Sequence, residues 1–78
     1  MLKHPKKKSD VVRLALFLAS RPLDMNQWQE ASGVSNPLAY VKKEDVIRSK
    51  EGRYSLEAGA RSYVLNKLIP ALRSNDDS

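Results

Sequence analysis

The chain has 78 residues, 14 of them basic and nine acidic, for a net charge of +5, and it contains no cysteine. That length bounds it to one domain with a modest core. The missing thiols exclude a disulfide framework, a thiolate nucleophile and a cysteine-ligated metal.

The longest apolar run, Leu14 to Ala19, has six residues, against the roughly 18 that a membrane span needs. A basic start followed by Val11–Ala19 faintly resembles a secretory signal. Arg13 interrupts it, however, and Arg21-Pro22 follows directly, where a small-residue cleavage site belongs. The expectation is a cytoplasmic chain. Most of the charge sits at the start: residues 1–8 carry Lys3, Lys6, Lys7 and Lys8 with no acid, whereas residues 9–78 carry ten basic and nine acidic groups. A lysine arm of this kind favours polyanions, and the body behind it is nearly neutral.

Residues 1–8 read as a flexible basic arm, with the lone His4 inside it. Ser9 is the expected N-cap of a first helix, with Asp10 placed to favour the positive end of the helix dipole. Val11, Leu14, Ala15, Leu18 and Ala19 repeat at helical spacing, predicting a helix from Asp10 to about Ser20 that Arg21-Pro22 ends. Asp24 caps a short second helix with Met25, Trp28 and Ala31 inward, and Gly33 closes it. Trp28 reads as a core anchor rather than a stacking platform. Ser35 or Asn36 then caps a third helix with Pro37 at its first position. Leu38 and Val41 are expected to face inward, and the helix to end near Glu44 or Asp45.

The period then changes. Val46-Ile47-Arg48 reads as a strand, Lys50-Glu51-Gly52 as a turn, and Arg53-Tyr54-Ser55-Leu56 as a second strand with Tyr54 and Leu56 on one face. A hairpin this short must pack on the helices to persist. A last helix starts near Glu57 and runs to about Ser74, with a kink or break expected just before Pro70. Residues 75–78 form a polar, acidic tail. The expected organisation is thus an arm over 1–8, a domain over 9–74 and a tail, mainly α with a small β-hairpin.

The order of helix, helix, glycine turn, short capped helix, strand, glycine turn, strand and helix resembles the winged helix-turn-helix domains of many bacterial, archaeal and phage regulators, over about residues 10–70. Val46 through Gly52-Arg53-Tyr54-Ser55-Leu56 to Gly59 looks like their wing, and Met25–Val41, with Gly33 at the turn, like the helix-turn-helix itself. The chain departs from the pattern at Gln29, beside Trp28, where the family often has a small residue. Its third helix is also short and opens with proline, and its wing is brief.

The resemblance implies a DNA-binding protein whose third helix enters the major groove, where each base pair shows its own donors and acceptors. It implies DNA contacts from Ser35, Asn36, Tyr40, Lys42 and Lys43 on that helix and from Arg48, Lys50 and Arg53 on the wing. Lys6, Lys7 and Lys8 of the arm would add non-specific affinity. Tyr40 stays open between stacking, bonding a phosphate and covering the second helix. Residues 42–53 hold five basic and three acidic groups, a weak patch whose contacts would go mostly to phosphate.

One histidine in the arm, no cysteine, no metal-spaced cluster and no phosphate-cradling glycine loop point away from an enzyme and imply no cofactor or metal. The last helix is apolar on two stripes, Ala60/Val64/Leu68/Ala71 and Leu65/Ile69/Leu72, with Tyr63 beside the first. One stripe suffices for a surface helix, so Tyr63, Leu65, Ile69 and Leu72 are expected to form a homodimer interface; the alternative is that the first helix covers both stripes. A protein-interaction module is the competing function, since winged-helix domains also serve as docking surfaces. A membrane contact through the arm alone has one anchoring signal where two are usual.

Overall fold

The computed structural model describes residues 5–74. The start of the expected arm, with Lys3 and His4, and the tail over 75–78 lie outside the described residues. The molecule is mainly helical with one two-stranded antiparallel sheet.

Helix α1 spans Lys8–Leu18. Its cap position is Lys7, which makes no side-chain capping bond, and Ser9 lies inside the first turn. The expected boundary at Ser9 is therefore corrected: Lys8 belongs to the helix and Pro5 ahead of it is buried. At the other end the chain becomes extended at Ala19, which lets Leu23 pair with Tyr54. Leu23 and Tyr54 exchange both backbone hydrogen bonds, N–H to carbonyl, at 2.9 and 2.6 Å. This one-residue bridge fastens the linker after α1 to the hairpin.

Helix α2 spans Met25–Ser32 and forms as its end residues dictate. The Gln27 amide donates to the Asp24 carboxylate at 2.8 Å, and the Asp24 amide donates to the Gln27 side chain at 3.1 Å, a reciprocal capping box. Gly33 ends the helix at φ 70°, in the left-handed region, and its amide reaches the Gln29 carbonyl at 2.8 Å.

The expected third helix is not an α-helix. It is a four-residue 3-10 turn, Pro37–Tyr40, then extended backbone at Val41 and Lys42, then a second 3-10 turn, Lys43–Asp45. Neither Ser35 nor Asn36 caps it: Asn36 makes no capping bond. A short helix without a cap does not repay the cost of nucleation, and 3-10 turns are the usual short substitute. Leu38, expected inward, is 39% exposed, while Pro37 is fully buried in its place. Val41 does pack against the core.

Strands β1 (Val46–Arg48) and β2 (Tyr54–Leu56) pair with Val46 opposite Leu56 and Arg48 opposite Tyr54. Gly52, at φ 76°, closes the turn with a 3.0 Å bond from its amide to the Ser49 carbonyl. Alternation puts Tyr54 and Leu56 into the core as expected.

The last helix starts as α3, Ala58–Tyr63, capped by the Glu57 carboxylate, which accepts the Gly59 amide at 2.7 Å. It continues without a break through a π-helical stretch, Val64–Leu68, into α4, Ile69–Ser74. The irregularity expected before Pro70 is thus a wide turn, with the Ile69 amide bonded to the Val64 carbonyl. A wider turn leaves room for the proline ring, which would otherwise press on the carbonyl four residues back.

The π turn also resets which residues face inward. Ala60, Val64, Leu68 and Leu72 are all buried, at a constant spacing of four. In a regular α-helix such a stripe drifts by about 40° per step, and the wide turn takes up the drift. Ala71, placed on this stripe by α-helical spacing, is exposed. These four residues pack with Val12, Leu16, Trp28, Tyr54 and Leu56 in a single core cluster. Trp28 is fully buried, its ring centroid 5.3 Å from that of Tyr54, and its Nε1–H donates to the Val12 carbonyl at 3.0 Å. Among the described residues no buried side-chain nitrogen or oxygen lacks a hydrogen-bond partner, and no helix is long and apolar enough to cross a membrane.

Candidate nucleic-acid interface

The hairpin and the turn before it carry five of the ten basic side chains that follow the arm. Lys42 and Lys43 are exposed, as are Arg48 on β1, Lys50 in the turn and Arg53 at the start of the return. Arg48 lies with its guanidinium carbon 6.0 Å from the Tyr54 ring centroid. Ser35 and Asn36 are exposed ahead of the first 3-10 turn. The Ser35 carbonyl accepts a 2.8 Å bond from the Gln29 side chain, which holds this loop to α2.

The arm and the turn are not separate. Lys8, the first residue of α1, holds its ammonium 5.5 Å from the Tyr40 ring centroid. Tyr40 therefore covers part of the α1 start, and it stays 39% exposed. Lys6 and Lys7 precede it and are exposed.

A second cluster was not legible in the sequence. Arg13 reaches Asp10 at 3.4 Å and Asp45 at 3.2 Å, and the Tyr63 hydroxyl donates to Asp10 at 3.1 Å. The Arg13 guanidinium also lies 5.5 Å from the Tyr63 ring centroid. The cluster ties α1 to the segment entering β1 and to α3. The Asp10–Arg13 spacing of three was its one local signal. A cleft of about 330 Å³ opens beside it, lined by Arg13, Asp45, Gly59, Ala60 and Tyr63. Burial pushes the Tyr63 hydroxyl above its ordinary value of 10.0; the bond to Asp10 and its negative charge act the same way, and Arg13 opposes them.

Asp45 is one of the three acids in residues 42–53, and it shares the Arg13 guanidinium with Asp10. Glu44 and Glu51, both exposed, stand beside Lys42, Lys43, Arg48, Lys50 and Arg53.

The residues expected at a dimer interface divide. Leu72 is 5% exposed and belongs to the core, and Ile69 packs against it, so the second stripe is largely used within the chain. This corrects Leu72 as an interface residue, for the reason given by the π turn. Tyr63 keeps an exposed edge but spends its hydroxyl on Asp10. Leu65 remains outward, 57% exposed. Among the described residues no group of three or more His, Cys, Asp or Glu side chains converges as a metal site would require.

No protein family matches the chain, and no curated protein or solved structure that was compared with it matches either.

Proposed function

We propose that the chain is a non-enzymatic double-stranded DNA-binding protein of winged-helix type, acting in the cytoplasm on the nucleoid as a small regulator or architectural factor. The observation that carries this reading is the exposure of five basic residues, Lys42, Lys43, Arg48, Lys50 and Arg53, on one short hairpin segment whose third acid, Asp45, is turned to Arg13. The order of α1, a one-residue bridge at Leu23, α2, a helical turn, a hairpin and a closing helix supports the winged-helix type.

The grip differs from the one the resemblance implies. A four-residue 3-10 turn offers little length to lay in a major groove. Lys42, Lys43, Lys50 and Arg53 suit phosphate contacts instead, with Lys8 beside Tyr40, and Lys6 and Lys7 ahead of it, as a second site. Such contacts position a protein on the duplex without reading sequence. Weak sequence preference follows, which favours the architectural role.

The test is fluorescence anisotropy with random duplex DNA across a salt series. Log affinity should fall with log salt by about 0.9 per phosphate contacted. The Lys42→Glu/Lys50→Glu/Arg53→Glu chain should lose most of its affinity and most of that slope, and Lys6→Ala/Lys7→Ala only part of each. Because Pro5 is buried, point changes are preferable to removing the arm. A triple variant that binds like the parent refutes the reading.

A homodimer would join through Leu65 and the exposed edge of Tyr63 and would place two such grips on one duplex. Changing Leu65→Lys should then shift a dimer to a monomer on a sizing column. A parent chain that already elutes as a monomer at high concentration removes the dimer from the proposal.

A further inference from the structure

A cleft of about 250 Å³ lies between the first 3-10 turn and the hairpin, lined by Leu38, Lys43, Val46, Arg48 and Tyr54. Its composition is unlike the rest of the basic face. Among the described residues three apolar side chains form its walls, two cations stand with them, and no acid lines it. Lys43 is exposed and makes no ion pair or side-chain hydrogen bond among the described residues. The guanidinium of Arg48 is held near the Tyr54 ring rather than by a carboxylate. Leu38 is 39% exposed at this site, and Ile47, the outward neighbour of Val46 on β1, is 52% exposed. Duplex phosphates would engage the two cations and leave the apolar walls without a partner. A peptide that carries acids around one large apolar side chain would engage both.

We infer that this cleft docks an acidic segment of a partner protein, with one apolar anchor side chain seated against Leu38, Val46 and Tyr54 and flanking carboxylates paired with Lys43 and Arg48. The volume accepts roughly one large side chain, the common form of a buried anchor ringed by polar contacts. The inference differs from DNA binding in its apolar walls: Lys43 and Arg48 would serve either partner, but only an apolar anchor uses Leu38, Val46 and Tyr54.

The full-length chain would be titrated against a fluorescein-labelled DEDFDE peptide and, as a control, DEDSDE. The parent should bind the first and bind the second about tenfold more weakly. Lys43→Glu should weaken DEDFDE about tenfold. Leu38→Ser should weaken it several-fold while leaving affinity for random duplex DNA unchanged. Lys67→Glu, an exposed cation on the last helix, should leave it unchanged. Lys43 and Leu38 are both exposed enough for the variants to fold, and thermal midpoints equal to the parent's check that. Absence of DEDFDE binding up to millimolar peptide overturns the inference, and so does equal binding of both peptides, which would be charge alone. If Leu38→Ser weakens DNA rather than peptide, the cleft is part of the duplex-binding surface and the docking inference fails.

Discussion

Two neighbouring segments of this chain have comparable length and opposite outcomes. Met25–Ser32 is an α-helix; residues 37–45 hold two 3-10 turns with extended backbone between them. Both begin after a residue type that favours caps, and both place apolar residues at helical spacing. What separates them is whether the ends are satisfied and whether one side chain is anchored. Asp24 and Gln27 satisfy each other's amides, Gly33 closes the far end, and Trp28 is sealed in the core with its own hydrogen bond. Asn36 caps nothing, and Leu38 is left half out. A helical pattern is a necessary condition for a short helix, and the end contacts decide it.

The sharpest way to break this comparison is at the anchors. Trp28→Ala removes the largest buried side chain and leaves the Val12 carbonyl without this donor, and should cost about 3–5 kcal/mol. In a chain this short that approaches the whole stability, so urea unfolding should find the variant largely unfolded. Tyr40→Ala, in the other segment, should stay within about 0.5 kcal/mol of the parent.

Two leucines give the next largest contrast. Leu72→Ala should cost about 2–5 kcal/mol as a core truncation, and Leu38→Ala well under about 1.5 kcal/mol. A smaller cost at Leu72 than at Leu38 would mean that the π turn is absent in solution and that the last helix faces another way. The caps come third: Asp24→Ala should cost about 1 kcal/mol, and Asn36→Ala should be close to neutral, read by thermal unfolding.

The smallest effect concerns pH. Folding raises the Tyr63 hydroxyl above 10.0, so the folded state holds that proton more tightly. The resulting stabilisation is fully present below the unfolded value and is lost as pH rises through the folded one. Thermal midpoints should therefore fall above pH 10 more steeply for the parent than for Tyr63→Phe. Equal slopes would show that folding does not raise the Tyr63 hydroxyl in solution.

What the sequence revealed follows the range of the interactions involved. The capping residue at Asp24, the stop at Gly33 and the hairpin with Tyr54 and Leu56 on one face follow from neighbours a few positions away, and Trp28 as anchor follows from its size and apolar character. The Leu23–Tyr54 bridge and the contacts of Arg13 with Asp45 and of Tyr63 with Asp10 span 31, 32 and 53 positions, and no local pattern marks them. The third helix was misread because proline at a first helical position implies a start without implying a length. The two stripes on the last helix were misread because a fixed period of 3.6 was carried through a wide turn, which turned Leu72 from a core residue into an apparent surface one. Of the site, the basic residues were visible by type; that Asp45 would meet Arg13 of α1, and that Lys8 would lie over Tyr40, was not.

The wide turn over Val64–Leu68 has one more consequence. It holds more backbone per turn than a regular helix does, which amounts to slack in the thread of a screw. Losing a single outward residue such as Asn66 would change the buried spacing from four-four-four to four-three-four, which a regular α-helix also keeps on one face. The same deletion would bring the Pro70 ring back against the carbonyl beneath it. This helix can therefore shorten by one residue without rotating its buried face, provided the proline is replaced in the same step, and its length and its proline are expected to change together.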